Sequence, residues 1–157
     1  MSNLEHQSKD SSEKKSLRLE WILSIIAALT CIIAVIMFAF TNTSNFAEGL
    51  MSQWPFPLIY FIEISAIGVI SILSMGIIQR QGKSEWSAVF WIFSGMLLSF
   101  VILGAWTIGF FLLPAMIIFL LVGIRIDKKT GNDIPRHLIY FVAGGIAQAL
   151  LVFLTLI

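Results

Sequence analysis

Every lysine and arginine of this chain falls in one of three segments, Lys9 to Arg18, Arg80 to Lys83 and Arg125 to Arg136, and the long stretches between them carry no cation. Positive side chains collect on the cytoplasmic side of a membrane, so three cationic segments separated by cation-free ones define an alternating topology. The pattern predicts an all-α, polytopic transmembrane helix bundle of five spans, with the N-terminus inside and the C-terminus outside. Composition agrees: 58% of the 157 residues are hydrophobic, which leaves too little polar surface to clothe a water-soluble globule. The bilayer is therefore the first partner expected, nucleic acid is not expected, and residues 21–157 form one bundle with no room for a second domain.

The spans follow from the apolar runs. Trp21 to Phe40 is long enough to cross roughly 30 Å of hydrocarbon as a helix. It is read as a retained anchor, because no A-x-A-like cleavage pattern follows it at Thr41 to Ser44. Span two covers 58–78, entered through Trp54-Pro55-Phe56-Pro57, where proline suits a first helical turn. Residues 86–124 would make a single helix of about 58 Å, roughly twice the hydrocarbon thickness. A break near Gly104 to Thr107 divides them into spans 86–103 and 106–124 and returns Arg125 and the cations after it to the inside. Pro114 then lies inside span four and is expected to kink it. Asp133-Ile134-Pro135 reads as a helix start, and span five covers 138–157. Trp21 and Trp86 map to the inner interface and Trp54 and Trp106 to the outer one, leaving Trp91 deeper.

Outside the spans, residues 1–20 read as a disordered cytoplasmic tail. Asn45 to Trp54 reads as a short interfacial helix with Phe46, Leu50 and Trp54 on one face.

Glu63 is the one acidic side chain well inside a span, in the outer third of the bilayer, where a carboxylate is costly unless protonated, hydrated or paired. Gln148, midway along span five, can donate to it, so Glu63 and Gln148 form the candidate polar intramembrane site. Small residues at four-residue spacing let helices approach closely, which points to Gly95 and Ser99 in span three and Ala143, Gly145, Ala147 and Ala149 in span five as packing positions. Arg125, Lys128, Lys129 and Arg136 carry the topology signal and are also placed to meet anionic lipid headgroups. Cys31, alone in the chain, reads as small core packing. The two histidines, His6 and His137, fall in the tail and an inner loop, and the spans hold no His-Glu-x-x-His pattern or paired carboxylates. No catalysis, no cofactor and no metal are expected.

The segment Gly104-Ala105-Trp106-Thr107-Ile108-Gly109-Phe110-Phe111-Leu112-Leu113-Pro114-Ala115 resembles a hairpin found in small, mostly uncharacterised multi-span membrane proteins of Gram-positive bacteria. The resemblance implies a bacterial cell-membrane home and carries no functional residue. Taken together, the sequence leads to a non-catalytic accessory, assembly or regulatory protein acting through helix contacts, with a membrane-protein partner or a homo-oligomer as its setting. The alternative is a small oligomeric transporter or channel subunit using Glu63 as an ion or proton site.

Overall fold

The computed structural model describes residues 2–41, 56–81, 84–104, 109–131 and 134–156. Among them every element is helical: α1 (Ser2–Thr41), α2 (Phe56–Gln81), a 3-10 turn (Ser84–Trp86), α3 (Ser87–Leu103), α4 (Gly109–Thr130) and α5 (Ile134–Leu156). Four of these, α1, α2, α4 and α5, are long and apolar enough to cross a membrane, whereas α3 has 17 residues. The outside of the bundle is apolar: Phe40, Ile62, Ile102, Phe110, Ile139 and Leu154 are all more than half exposed. A surface of that kind is stable in hydrocarbon and unstable in water.

α1 packs on α2 and α4, and α3 packs on α4 and α5, with a lighter α2–α3 contact closing the group. The seams follow helical periodicity. On α4, Leu112, Ala115, Phe119, Val122 and Ile126 are buried at alternating steps of three and four. Phe119 meets Phe90 of α3 with ring centroids 6.2 Å apart. On α1 the buried stripe is small, Ala27, Cys31 and Ala34, and it lets α2 come close at Gly68. Cys31 is buried and unoxidised in that seam.

The tightest seam joins α3 to α5. A methyl group added at Gly95 would lie 2.0 Å from the carbonyl oxygen of Phe141, and one at Gly144 would lie 2.5 Å from that of Ile92. Ser99 Oγ donates to the Gly145 carbonyl at 2.7 Å in the same seam. Gly95, Ser99 and Gly145 are thus packing residues. Ala143, Ala147 and Ala149 are outside this seam and lie on exposed faces of α5. The inward face of α5 runs through His137, Gly144 and Gln148, and the alanines fall to either side of it.

Two expectations about helix ends are corrected. Residues 2–20 are helical where the sequence predicts an irregular tail, since α1 starts at Ser2. Extending a helix already nucleated by Trp21 to Phe40 adds one hydrogen bond per residue without a new nucleation cost, and Glu, Lys, Gln and Leu are good helix formers. The cationic segment after Ile124 is not a loop, because α4 continues to Thr130. Lys128 and Lys129 in the last turn complement the helix dipole, and Gly131 with φ 67° ends the helix in the left-handed conformation that glycine adopts freely. α5 starts at Ile134, within the helix start expected at Asp133-Ile134-Pro135. Pro114 sits inside α4 on an exposed face. The end of α3 meets the start of α4, with Gly104 N–H donating to the Phe100 carbonyl and Gly109 N–H to the Gly104 carbonyl. The amphipathic segment Asn45 to Trp54, together with Trp106, lies outside the described residues.

Candidate functional site

The cations Arg80, Arg125, Lys129 and Arg136 mark one end of the bundle, and the most developed polar constellation is buried there. Asp127 on α4 is fully buried and takes donors from two other helices. Ser87 Oγ, in the first turn of α3, donates to Asp127 Oδ1 at 2.6 Å. Trp91 Nε1, one turn further along α3, donates to Asp127 Oδ2 at 2.8 Å. His137 Nδ1, in the first turn of α5, lies 2.6 Å from the same oxygen, so the proton of this contact belongs on Nδ1. The His137 ring rests between Trp91 and Tyr140, with centroids 6.4 and 5.8 Å away. Gly123, four residues before Asp127, makes room for the indole: a methyl there would lie 3.0 Å from Trp91 Nε1.

A carboxylate that takes donors at both oxygens is held by charge-assisted hydrogen bonds, the strongest available to side chains. The geometry also fixes what the group can do. Ser87 Oγ lies 3.5 Å from His137 Nδ1 but 2.6 Å from the carboxylate, so Asp127 is the hub between serine and histidine. In a nucleophile-activating triad the histidine occupies that middle position. Among the described residues no group of three His, Cys, Asp or Glu side chains is arranged to hold a metal ion.

Beside this hub, Glu20 of α1 is fully buried against α4. Lys129 Nζ closes on Glu20 Oε1, and Arg125 Nε stands 4.0 Å from the same atom. The contact is an ion pair and not an aligned hydrogen bond, because neither Glu20 oxygen, nor Ser24 Oγ one turn below, has a hydrogen-bond partner. Two of the four cations placed at lipid headgroups by the sequence, Arg125 and Lys129, are thus near Glu20, and all four are exposed.

At the other end, Glu63 lies two turns into α2 and is partly buried. Gln148 of α5 is 1% exposed, and its Nε2 donates to Glu63 Oε2 at 3.1 Å. The structure therefore brings together the two polar side chains singled out within the spans. Gln148 Oε1 is buried without a hydrogen-bond partner. Tyr60, one turn before Glu63, lies edge-on to Phe100 of α3, with centroids 5.7 Å apart.

Asp127, Ser87, Trp91, His137 and Glu20 escaped the sequence reading, and the signal that could have found them is helical spacing carried past the end of the apolar run. Val122 and Ile126 continue the buried stripe of α4 beyond Arg125, which puts Gly123 and Asp127 on one inward face. Ser87 and Trp91 stand one turn apart on α3, as do Glu20 and Ser24 on α1. No family model, no curated protein and no solved structure matches the chain.

Proposed function

We propose that this chain is a non-catalytic integral membrane protein of accessory, assembly or regulatory type, which works through helix contacts within the bilayer. The observation that carries the reading is the state of α5. One face of this helix is consumed by the close seam with α3, and the rest is apolar and uncovered, including a groove lined by Pro135, Leu138, Ile139, Val142, Ala143 and Ile146. The small pair Ala143 and Ala147 lies on that uncovered surface, where a helix of a membrane-protein partner or of a second copy can approach closely. Asp127 acting as a hub between Ser87 and His137 supports the non-catalytic part of the reading.

The same reading has the chain crossing a bacterial cell membrane five times, N-terminus inside and C-terminus outside. Its support is the cation pattern, the level contacts at the basic end and the resemblance of the Gly104 to Ala115 hairpin. Contacts from Glu20 to Lys129, Ser87 to Asp127 and Asp127 to His137 set the basic ends of α1, α3, α4 and α5 side by side. Cysteines placed at Gly131 and after Ile157, in a Cys31→Ala background, should label from the inside and the outside respectively.

A photo-crosslinking residue at Ile146, introduced in living cells, tests the function. A protein adduct of defined mass that disappears in Ala143→Leu/Ala147→Leu is expected. Adducts with lipid alone would contradict the reading. The second reading, a transporter or channel subunit, is supported by the Glu63–Gln148 pair, and ion flux in vesicles that is lost in Glu63→Gln would favour it.

A further inference from the structure

We propose that Glu63 and Gln148 form a binding site for one small monovalent cation, a proton or a sodium ion. The inference deepens the second reading above, but it concerns occupancy of the site and does not need transport.

Two deficits meet at this pair. The first is charge. Glu63 lies about 10 Å from the start of α2 at helical rise, within the apolar part of the bundle, where an ionised carboxylate is costly. One neutral amide N–H from Gln148 does not offset a full negative charge. Among the described residues no cationic side chain pairs with Glu63. Arg80, at the far end of the same helix, is roughly 25 Å away at helical rise, and Arg136 is roughly 18 Å from Gln148 along α5. The second deficit is an acceptor. Gln148 Oε1 is buried in the same place and receives no hydrogen bond.

A single cation removes both. The two ends of a glutamine amide have nearly the same shape, so the side chain can turn over in place and present Oε1 to Glu63 instead of Nε2. A proton taken up by the carboxylate then forms an O–H that donates to Oε1. A sodium ion in the same position is ligated by the carboxylate and by the carbonyl dipole of the amide. No covalent bond other than that of the proton forms, and none breaks. Nothing comparable applies at Asp127, whose oxygens are already filled by three donors, or at Glu20, whose charge is met by Lys129.

Few other ionisable groups bear on the pair. Tyr60 is one turn away on α2, and Cys31 is the ionisable group within the apolar run of α1. α3 has none from Ser87 to Leu103. On α5, Tyr140 and His137 lie eight and eleven residues before Gln148, toward the basic end.

The test uses the purified full chain in phosphatidylcholine vesicles, treated with dicyclohexylcarbodiimide. This lipid-soluble reagent adds a protonated carboxyl across its C=N bond, and mass spectrometry of the peptide containing Glu63 reads the product. Modification of Glu63 should fall at least about tenfold between acidic and alkaline medium, as the carboxyl loses its proton. Sodium chloride in place of choline chloride separates the occupants at a pH where labelling is still partial. A further fall assigns the site to sodium as well as protons, and no change assigns it to protons alone. Gln148→Met and the milder Gln148→Asn should move the pH at which labelling is half lost, or abolish the sodium effect, in whichever variant retains its thermal unfolding transition. Three results overturn the proposal: no modification of Glu63 at acidic pH, modification indifferent to both pH and sodium, or a pH midpoint and sodium response unchanged in a folded Gln148 variant. Loss of vesicle flux with labelling intact would count against transport and leave the site standing.

Discussion

Asp127 and Glu63 are carboxylates of the same bundle, each facing a neighbouring helix, and they differ in what that neighbourhood supplies. Asp127 receives Ser87, Trp91 and His137 from α3 and α5, all donors, and is sealed from solvent. Glu63 receives one amide N–H, remains partly exposed, and has beside it a carbonyl oxygen with no partner. A charge enclosed by donors from two other helices is already met and serves to fix the helices. A charge with one donor retains an unmet demand. Glu20 lies between the two, with its charge met by Lys129 and its hydrogen bonds unmet. Both centres depend on α5, which brings His137 to one and Gln148 to the other.

That shared dependence sets the largest expected effect. Gly95→Leu meets the Phe141 backbone, which cannot yield as a side chain would, so it should push α5 off α3 and open both centres together. The loss expected is at least about 3 kcal/mol in thermal unfolding in one detergent. Gly145→Leu acts on the same seam with slightly more room, and both should exceed Leu151→Ala, a change at a residue that is 38% exposed. Asp127→Leu leaves three buried donors unpaired and should cost about 2–3 kcal/mol by the same measurement. Trp91→Phe keeps most of the ring and removes one donor, for about 1 kcal/mol. Ala143→Leu, on the uncovered face of α5, should change stability by less than about 0.5 kcal/mol while blocking the photo-crosslink at Ile146.

Much of this architecture is legible in the chain. The cationic segments and apolar runs locate all five helices to within a turn at most of their ends, because an apolar surrounding permits few other ways to satisfy a backbone. Gln148 can be named as the partner of Glu63 because strongly polar side chains within the spans are so few. The seam at Gly95, Ser99 and Gly145 is legible from small-residue spacing. The same spacing at Ala143, Ala147 and Ala149 falls outside that seam, since spacing does not say which of several small faces a helix turns inward. The Asp127 hub is hidden for a different reason. Hydropathy stops at Arg125, whereas α4 continues because Asp127 finds donors that arrive from 40 residues before it and 10 after it. Such long-range pairings leave no local pattern beyond the helical spacing that continues past Arg125.

The most direct test of the contrast is one chemical change made at both centres: replacing a carboxylate oxygen by an amide NH2, as Asp127→Asn and as Glu63→Gln, and comparing thermal unfolding in the same detergent. At Asp127 both oxygens meet donors, so the new NH2 group faces a donor and should cost about 1–2 kcal/mol. At Glu63 the neighbour is an amide that can turn over and accept, so Glu63→Gln should stay within about 0.5 kcal/mol of the parent chain, or exceed it in stability once a costly charge is gone. Equal losses at the two positions, or a larger loss at Glu63, would contradict the division between a centre that is filled and one that is open.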